Sequence, residues 1–220
     1  MASAQAAEAG AARKMAVFVS GGGSNLRAIY GRSPNLAAVV TDKPTCGGAE
    51  FARERGVPVV VYPPTEKANA AGEGAAAPAD PDALVAVLKE NGADVVLLAG
   101  YLKLVPEELV RAYHRRMLNI HPALLPGPFG GKGMYGANVH RAVVESGVKL
   151  TGCTVHFVDE EYDRGAILGQ RCVPVRRGDT PDDVARRVLE QEHVLFPECA
   201  QALCEDRVAW DDAGVPWIVD

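Results

Sequence analysis

Two polar side chains lie two residues apart in the apolar stretch LNIHPALLPG, which covers positions 118 to 127. Residues two apart in an extended segment point to the same side, so Asn119 and His121 face one volume. A carboxamide and an imidazolium in that arrangement could stabilise the oxyanion of an acyl transfer. A single histidine beside a core is more often a hydrogen-bonded structural group, so the catalytic interpretation requires a third partner.

Asp163 is the candidate for that partner. It lies in VDEEYDRGAI, a predicted turn between two apolar strands, where an aspartate can also simply bond the backbone of its own turn. A carboxylate close to His121 would raise the pKa of the imidazole and keep it charged near neutral pH. His156, in TVHFVD, could support this group, although an inward-facing structural histidine of the sheet is at least as good an interpretation.

A glycine-rich turn, SGGGSN at positions 20 to 25, separates a predicted strand from a predicted helix. Glycines let the backbone approach a ligand closely, and the free N–H groups of a helix N-terminus favour a phosphate. The turn matches neither GxGxxG nor GxxxxGK[ST], which weakens the dinucleotide and nucleoside triphosphate interpretations. On this motif alone, phosphate binding and an ordinary tight turn are equally good interpretations.

Other reactive residue types give weaker signals. The segment LEQEH at positions 189 to 193 lies on a predicted helix, where its acids could face solvent, and we expect His114 and His140 to be solvated. The five cysteines form no CxxC pair and are odd in number, which argues against a disulfide framework and a tetrahedral zinc site. We therefore expect a reducing compartment and no metal.

Apolar segments alternate with amphipathic ones through the first half of the chain, as expected for strands and helices in turn. Because the predicted strands are apolar throughout, they indicate a parallel sheet covered by helices on both faces. The predicted class is therefore α/β, with a doubly wound, mostly parallel, Rossmann-like N-terminal half. Ligands of such sheets bind beyond the carboxyl ends of the strands, where Asn119 and His121 emerge. The predicted strands cover 15–20, 36–42, 57–63, 93–100 and RMLNIHPA, and the predicted helices cover 24–31, 47–56, 82–92 and 106–113.

The second half of the chain has a different pattern. The glycine-rich stretch 127–136 must be a loop, and the helix that follows it is expected to end at Gly147. Strands are predicted at 151–159 and 166–175, and a long helix from about Pro181 to Cys204. This C-terminal part should add an antiparallel strand to the sheet, and the chain should close with a hairpin through an Asp-Ala-Gly turn.

Size and charge limit the class of protein further. With 220 residues and 48% hydrophobic content, the chain can form one core, so we expect a single domain over 15–220. Residues 1–14 are predicted to be a disordered extension, and the low-complexity segment 67–81 a surface loop. The net charge of −5 argues against nucleic-acid binding, and no apolar run could span a membrane, so small-molecule ligands are expected.

Five segments occur in an order that resembles one enzyme family. They are VFVSGGGSNLRAI, DVVLLAGYLKLV, NIHPALLP, TVHFVDEEYDRGAI and RVLEQEH, and they extend over about residues 15 to 205. In this order they are similar to the phosphoribosylglycinamide formyltransferases, which transfer a formyl group from 10-formyltetrahydrofolate in purine biosynthesis. The NIHPALLP segment and the DxGxI-type turn are shared with other enzymes that use this folate, whereas GSN together with QEH is specific to this family.

The resemblance implies a formyltransferase fold over 15–220 and a role for each matching residue. Asn119, His121 and Asp163 match the catalytic residues, with His156 in a supporting position. The cosubstrate would be 10-formyltetrahydrofolate, with no metal, and the acceptor would be the amine of phosphoribosylglycinamide. The implied ribonucleotide contacts are Gly23, Ser24, Asn25, Glu190, Gln191 and Glu192. The implied folate contacts are Leu102, Lys103, Leu104, Val105, Asn119, Asp159, Glu160, Glu161, Tyr162 and Asp163.

The match has one departure and leaves several alternatives. The family's basic residue near the folate tail is replaced by AAAPADPDA, so that contact should be weaker or come from elsewhere, and the loop 127–136 is expected to close over the substrates. A 10-formyltetrahydrofolate hydrolase would use the same residues on water, but resembles this chain with an added N-terminal module. A methionyl-tRNA formyltransferase would add a C-terminal tRNA-binding domain. A non-catalytic nucleotide-binding module would leave Asn119, His121 and Asp163 without a role.

Oligomeric state and compartment follow less directly from the residues. We expect a monomer or a homodimer. The compartment should be the cytoplasm, or the plastid stroma if the N-terminal extension is the remnant of a transit peptide.

Overall fold

The computed structural model describes residues 12–64 and 78–220 of the chain. Within these ranges, strands and helices alternate as an α/β protein requires, which confirms the predicted class. The strands are β1 (Met15–Val19), β2 (Leu36–Thr41), β3 (Val59–Val61), β4 (Val95–Leu98), β5 (Met117–His121), β6 (Leu150–Phe157), β7 (Ile167–Pro174), β8 (Val208–Trp210) and β9 (Pro216–Ile218). The helices are α1 (Ser24–Arg32), α2 (Gly47–Arg53), α3 (Pro81–Glu90), α4 (Glu107–Ala112), α5 (Ala137–Ser146) and α6 (Pro181–Cys204).

Seven of the strands form one sheet in the order β3-β2-β1-β4-β5-β6-β7. Strands β1 to β5 pair parallel with one another, whereas β6 runs antiparallel to both β5 and β7. The doubly wound half and the added antiparallel strand are therefore confirmed. Strands β8 and β9 pair antiparallel in a separate hairpin, also as predicted.

The central strand β1 shows why the predicted strands are apolar throughout. All five of its residues are fully buried. Met15, Val17 and Val19 belong to the core on one face of the sheet, and Ala16 and Phe18 to the core on the other. Because alternate side chains point to opposite faces, a strand covered on both faces leaves no position for a polar residue.

The long helix α6 begins and ends where its sequence indicates. Thr180 precedes it with a capping box, in which the Thr180 hydroxyl accepts from the Asp183 N–H and the Asp183 carboxylate accepts from the Thr180 N–H. Pro181 occupies the first turn, where its missing N–H has no partner to lose. None of the described helices has the length and apolar character needed to cross a membrane.

The predictions of a disordered extension over 1–14 and a surface loop over 67–81 are each wrong at one end. Residues 1–11 and 67–77 lie outside the described ranges, but Arg13 forms an ion pair with Asp206 at 2.6 Å, and the Lys14 N–H donates to the Asp94 carboxylate at 2.9 Å. The prediction of disorder is therefore wrong for these two residues. The surface-loop prediction over 67–81 is likewise wrong at Pro81, which begins α3 after the Asp80 cap.

Gly23 shows where the glycine-rich turn requires a glycine. Its φ of 73° is left-handed, a conformation that a side chain disfavours. A Cβ atom on Gly23 would also lie 2.7 Å from the Cα of Gly48 at the start of α2. The Gly48 N–H donates to the Gly21 carbonyl at 3.1 Å, so the loops after β1 and β2 pack backbone against backbone.

Replacing Gly23 by Ala should therefore lower the free energy of unfolding by about 2 kcal/mol, measured by equilibrium denaturation in urea. Gly31→Ala is a matched control, because Gly31 lies in α1 and a Cβ there would meet nothing within 4 Å. That change should stabilise the protein by about 0.5 kcal/mol through the better helix propensity of alanine. Equal stability of Gly23→Ala and the unaltered protein would contradict the packing described.

Candidate active site

The candidate site opens where the chain order of the sheet reverses, between β1 and β4. The loops that follow these strands are joined through Ser20, whose N–H donates to the Gly100 carbonyl at 3.2 Å. The Ser20 hydroxyl accepts from the Leu102 N–H at 2.9 Å. A cavity of about 720 Å³ lies beyond these strand ends and that of β5, which is where doubly wound sheets bind ligands.

Asn119 and His156 face each other as a cross-strand pair of β5 and β6. The His156 Nδ1 lies 2.8 Å from the carbonyl of Phe157, so this nitrogen must carry a hydrogen. In the neutral ring, Nε2 then accepts from the Asn119 amide nitrogen at 3.0 Å. This bond fixes the orientation of the Asn119 amide and leaves its second N–H available to a ligand.

His121 lies at the end of β5 and is 3% exposed. Its Nε2 is 2.7 Å from the carbonyl of Phe129, so Nε2 carries a hydrogen and donates to this carbonyl. Its Nδ1 faces the Asp163 Oδ2 at 3.5 Å, which is longer than a good hydrogen bond. The two ring nitrogens of His121 thus face the Phe129 carbonyl and the Asp163 carboxylate.

The charge state of His121 differs from the one expected from the sequence. Burial lowers the pKa of His121, and the raising effects of the Asp163 charge and the Phe129 carbonyl do not offset it. The expectation that Asp163 keeps His121 charged near neutral pH is therefore wrong for the protein without substrates. The physical reason is the depth of the ring combined with the long contact to the carboxylate.

Asp163 lies in the turn between β6 and β7 with a left-handed φ of 55°. Its Oδ2 accepts from the Gly131 N–H at 2.8 Å, and its Oδ1 lies 3.5 Å from the His156 Nε2. Burial raises the pKa of the Asp163 carboxyl, but His156, His121 and the Gly131 N–H together lower it further, so the pKa lies below its ordinary value. Asp163 is therefore ionised, and its backbone has the left-handed conformation that aspartate adopts more readily than most residues.

A second polar pair lies in the cavity wall at the start of α1 and on α6. The Asn25 amide nitrogen donates to the Glu192 carboxylate at 2.8 Å, and both residues are 7% exposed. Burial raises the pKa of Glu192, and the bond from Asn25 opposes this shift only in part. The Asn25 Oδ1 is buried and has no hydrogen-bond partner within the described ranges, so this pair retains capacity to bind a ligand.

Comparison with known proteins identifies the family. The sequence profile of the Formyl transferase family matches residues 13–200. Proteins named phosphoribosylglycinamide formyltransferase, chloroplastic, from Arabidopsis thaliana and Vigna unguiculata are each 51% identical to this chain over 212 residues. The alignments cover 94% of this chain, 70% of the Arabidopsis protein and 65% of the Vigna protein. The chain belongs to the phosphoribosylglycinamide formyltransferase family.

A solved structure supports the same assignment. The crystal structure of glycinamide ribonucleotide transformylase 1 from Symbiobacterium toebii matches this fold with a TM-score of 0.79 and 38% identity, over 95% of both chains. The resemblance and the formyltransferase fold predicted from the sequence are thereby confirmed.

The structure brings most of the predicted residues of this formyltransferase into one cavity. Asn25, Asn119, His121, His156, Asp163 and Glu192 line it, as do the implied folate residues 102–105 and 159–163. Gly23 and Ser24 lie at the start of α1, outside the residues that form the lining. Glu190 and Gln191 also lie outside it, because neighbours on a helix are rotated away from the face that carries Glu192.

Three features of the lining were missed or misjudged from the sequence. His140 was expected to be solvated, which is wrong, since it is 8% exposed and faces the cavity from α5. It follows Val139 and precedes Val143 on the buried face of that helix, a periodicity that could have revealed it. Tyr135 and Arg186 also line the cavity. His114, by contrast, is exposed as predicted.

In the described part of the chain, metal-ligating side chains do not cluster, and burial keeps two of the thiols protonated. Residues 12–64 and 78–220 contain no cluster of three or more histidine, cysteine, aspartate or glutamate side chains that could hold a metal ion. Burial raises the pKa of Cys153 and Cys199 to about 12, so neither thiol forms the thiolate that a nucleophile requires.

Replacing Glu192 by Gln should raise the melting temperature at neutral pH, because Gln can still accept from Asn25 but carries no buried charge. A carboxyl whose pKa is raised by folding costs stability above that pKa. The gain should therefore disappear as the pH falls below the ordinary pKa of glutamate, where Glu192 is protonated in both the folded and the unfolded state. Thermal denaturation between about pH 4 and pH 8 measures this dependence.

The matched control is Glu190→Gln, which removes the same charge from an exposed position on the same helix. It should leave the pH dependence of the melting temperature unchanged. A gain for Glu192→Gln that is the same at every pH would show that the buried charge is not its cause.

Proposed function

We propose that this chain transfers the formyl group of 10-formyltetrahydrofolate to the amine of 5-phosphoribosylglycinamide, a step of de novo purine biosynthesis. The observation that carries the proposal is the meeting of Asn119, His121 and Asp163 in a cavity whose other wall holds the Asn25 and Glu192 pair. Asn119, His121 and Asp163 suit the chemistry at the formyl carbon. The Asn25 and Glu192 pair suits binding of a polar acceptor substrate. The products are the formylated ribonucleotide and tetrahydrofolate.

The reaction proceeds by direct attack in this proposal. The amine lone pair forms a bond to the formyl carbon, and the carbonyl electrons move to oxygen as an oxyanion. The free N–H of Asn119 and the imidazole of His121 stabilise that charge. When the tetrahedral intermediate collapses, the bond to N10 of the folate breaks, and the proton lost by the amine reaches N10 with the help of Asp163. No covalent enzyme intermediate is required.

His121 must change partners to take part in this step. In the structure its Nε2–H is bonded to the Phe129 carbonyl, and Phe129 belongs to the glycine-rich loop 127–136. We infer that substrate binding moves this loop, freeing the Nε2–H for the oxyanion and shortening the contact between His121 and Asp163. The developing negative charge and the closer carboxylate then both favour the protonated imidazole.

The ribonucleotide occupies the α1 and α6 side of the cavity in this proposal. Backbone N–H groups at the start of α1, from Gly23 to Asn25, receive the phosphate, where the helix dipole favours an anion. Glu192 accepts from the ribose hydroxyls, and Glu190 and Gln191 belong to the same segment of α6. The unpartnered oxygen of Asn25 provides a further acceptor at this position.

The folate occupies the opposite side, between residues 102–105 and the turn 159–163. Leu102, Leu104 and Tyr162 are each more than half exposed there, which is costly without a ligand and suits the contact with a flat ring. Lys103 and Lys132 line the same cavity. Either can supply the positive charge near the folate tail, where AAAPADPDA replaces the family's basic residue.

The alternatives explain fewer of the observed features. A 10-formyltetrahydrofolate hydrolase would use Asn119, His121 and Asp163 on water, but would leave the buried Asn25 and Glu192 pair without a ligand. A non-catalytic binding module would leave the ionised Asp163 and its position beside His121 and His156 without a role. Both are therefore weaker accounts of the site than transfer to a ribonucleotide.

We also propose the setting of the enzyme. Residues 15–220 form a single formyltransferase domain that acts as a monomer or a homodimer, without nucleic-acid or membrane partners. The plant relatives whose names include the word chloroplastic favour the plastid stroma over the cytoplasm.

Asp163→Asn tests the proposed chemistry. The variant should keep its fold, because an amide oxygen can still accept from the Gly131 N–H. Its turnover should fall roughly a hundredfold or more, because His121 loses the carboxylate that favours its charged form. Initial rates of tetrahydrofolate release measure the effect, and circular dichroism verifies the fold.

Asp206→Asn is a matched control for the left-handed backbone, since Asp206 has a φ of 56° and is exposed outside the cavity. It should retain the turnover of the unaltered protein. If Asp163→Asn also retained that turnover, the proposed role of the carboxylate would be refuted.

A further inference from the structure

His140 presents one ring nitrogen to the cavity without a protein partner. The residue is 8% exposed and lines the cavity from α5. Its Nδ1 is fully buried and unpartnered in the described part of the chain. Its Nε2 has no hydrogen bond there either, but this atom, unlike Nδ1, keeps some exposure on a residue that lines the cavity.

The burial of Nδ1 favours one protonation state of the ring. Burial lowers the pKa of His140, and the charge of Asp182 opposes this shift only in part, so the ring is neutral. One nitrogen then carries the hydrogen and the other does not. Orphaned buried N–H groups are rarer in proteins than orphaned acceptors. The hydrogen therefore belongs on Nε2, which makes His140 a hydrogen-bond donor to whatever occupies the cavity.

The surroundings of His140 indicate which part of a substrate it meets. It is close enough to His121 on β5 and to Asp182 in the first turn of α6 for both charges to affect its pKa. It therefore lies on the wall that joins the catalytic residues to α6, the helix that carries Glu192. If the ribose of the ribonucleotide lies at Glu192 and its amine lies at Asn119, the glycinamide arm that joins them must lie along this wall.

We propose that His140 donates a hydrogen bond from Nε2 to the amide carbonyl of the glycinamide arm and so positions the attacking amine. This inference rests on the proposed function. The carbonyl carbon is separated from the amine nitrogen by a single methylene, so anchoring its oxygen restricts the rotations that would turn the amine away from the formyl carbon. His140 thereby distinguishes an aminoacyl amide from other primary amines that could enter the cavity.

A change of acceptor atom in the substrate tests this bond directly. The probe is the thioamide analogue of phosphoribosylglycinamide, in which sulfur replaces the amide oxygen and accepts a hydrogen bond only weakly. The unaltered protein should prefer the amide by roughly tenfold in kcat/KM. His140→Phe should use the amide roughly tenfold less well and lose the preference, with the KM for 10-formyltetrahydrofolate unchanged. His140→Gln, whose side chain can donate, should keep most of the preference.

Controls separate the hydrogen bond from packing and from the proposed function. His140→Leu also lacks a donor and replaces the Phe variant if that protein does not fold, as judged by circular dichroism. His114→Phe changes an exposed histidine and should leave the preference intact. A variant without a donor that still prefers the amide by the original factor would refute the inference. Absence of ribonucleotide-dependent turnover in the unaltered protein would refute the proposed function, and this inference with it.

Discussion

The antiparallel pairing of β5 with β6 is the constraint on which the whole site depends. It sets Asn119 opposite His156 and directs the chain after β6 into the turn that carries Asp163. A slip of one residue in this register would send Asn119 and His121 to the other face of the sheet, away from the cavity. The parallel strands β1 to β4 provide the buried framework and the loops, whereas the single reversed strand, β6, brings the proposed catalytic residues together.

The buried ionisable groups of the site have pKa values that are shifted in different directions. Asp163 accepts from the Gly131 N–H, lies beside two histidines and stays ionised, whereas burial raises the pKa of Glu192 and lowers that of His121. The protein without substrates therefore holds a carboxylate beside a neutral imidazole, and in the proposed mechanism the imidazole becomes protonated when negative charge develops nearby. In that mechanism the arrangement favours the transition state over the ground state.

Much of this organisation follows from local sequence patterns. Apolar strands, the caps of α6 and the two-residue spacing of Asn119 and His121 depend on neighbours along the chain, so the sequence predicts them well. The errors arise where distant segments decide the outcome. The pKa of His121 depends on burial by other elements, the orientation of His140 on packing of α5 against the rest of the fold, and the order of Arg13 on its contact with Asp206 near the other end of the chain.

The central claim is that the cavity joins a formyl donor to a ribonucleotide amine. The most direct test is the release of tetrahydrofolate from 10-formyltetrahydrofolate by the purified chain, with and without phosphoribosylglycinamide. The account predicts release only when the ribonucleotide is present, in equal amount to the formylated product. Release at the same rate without the ribonucleotide would identify a hydrolase and contradict the account, as would no release under either condition.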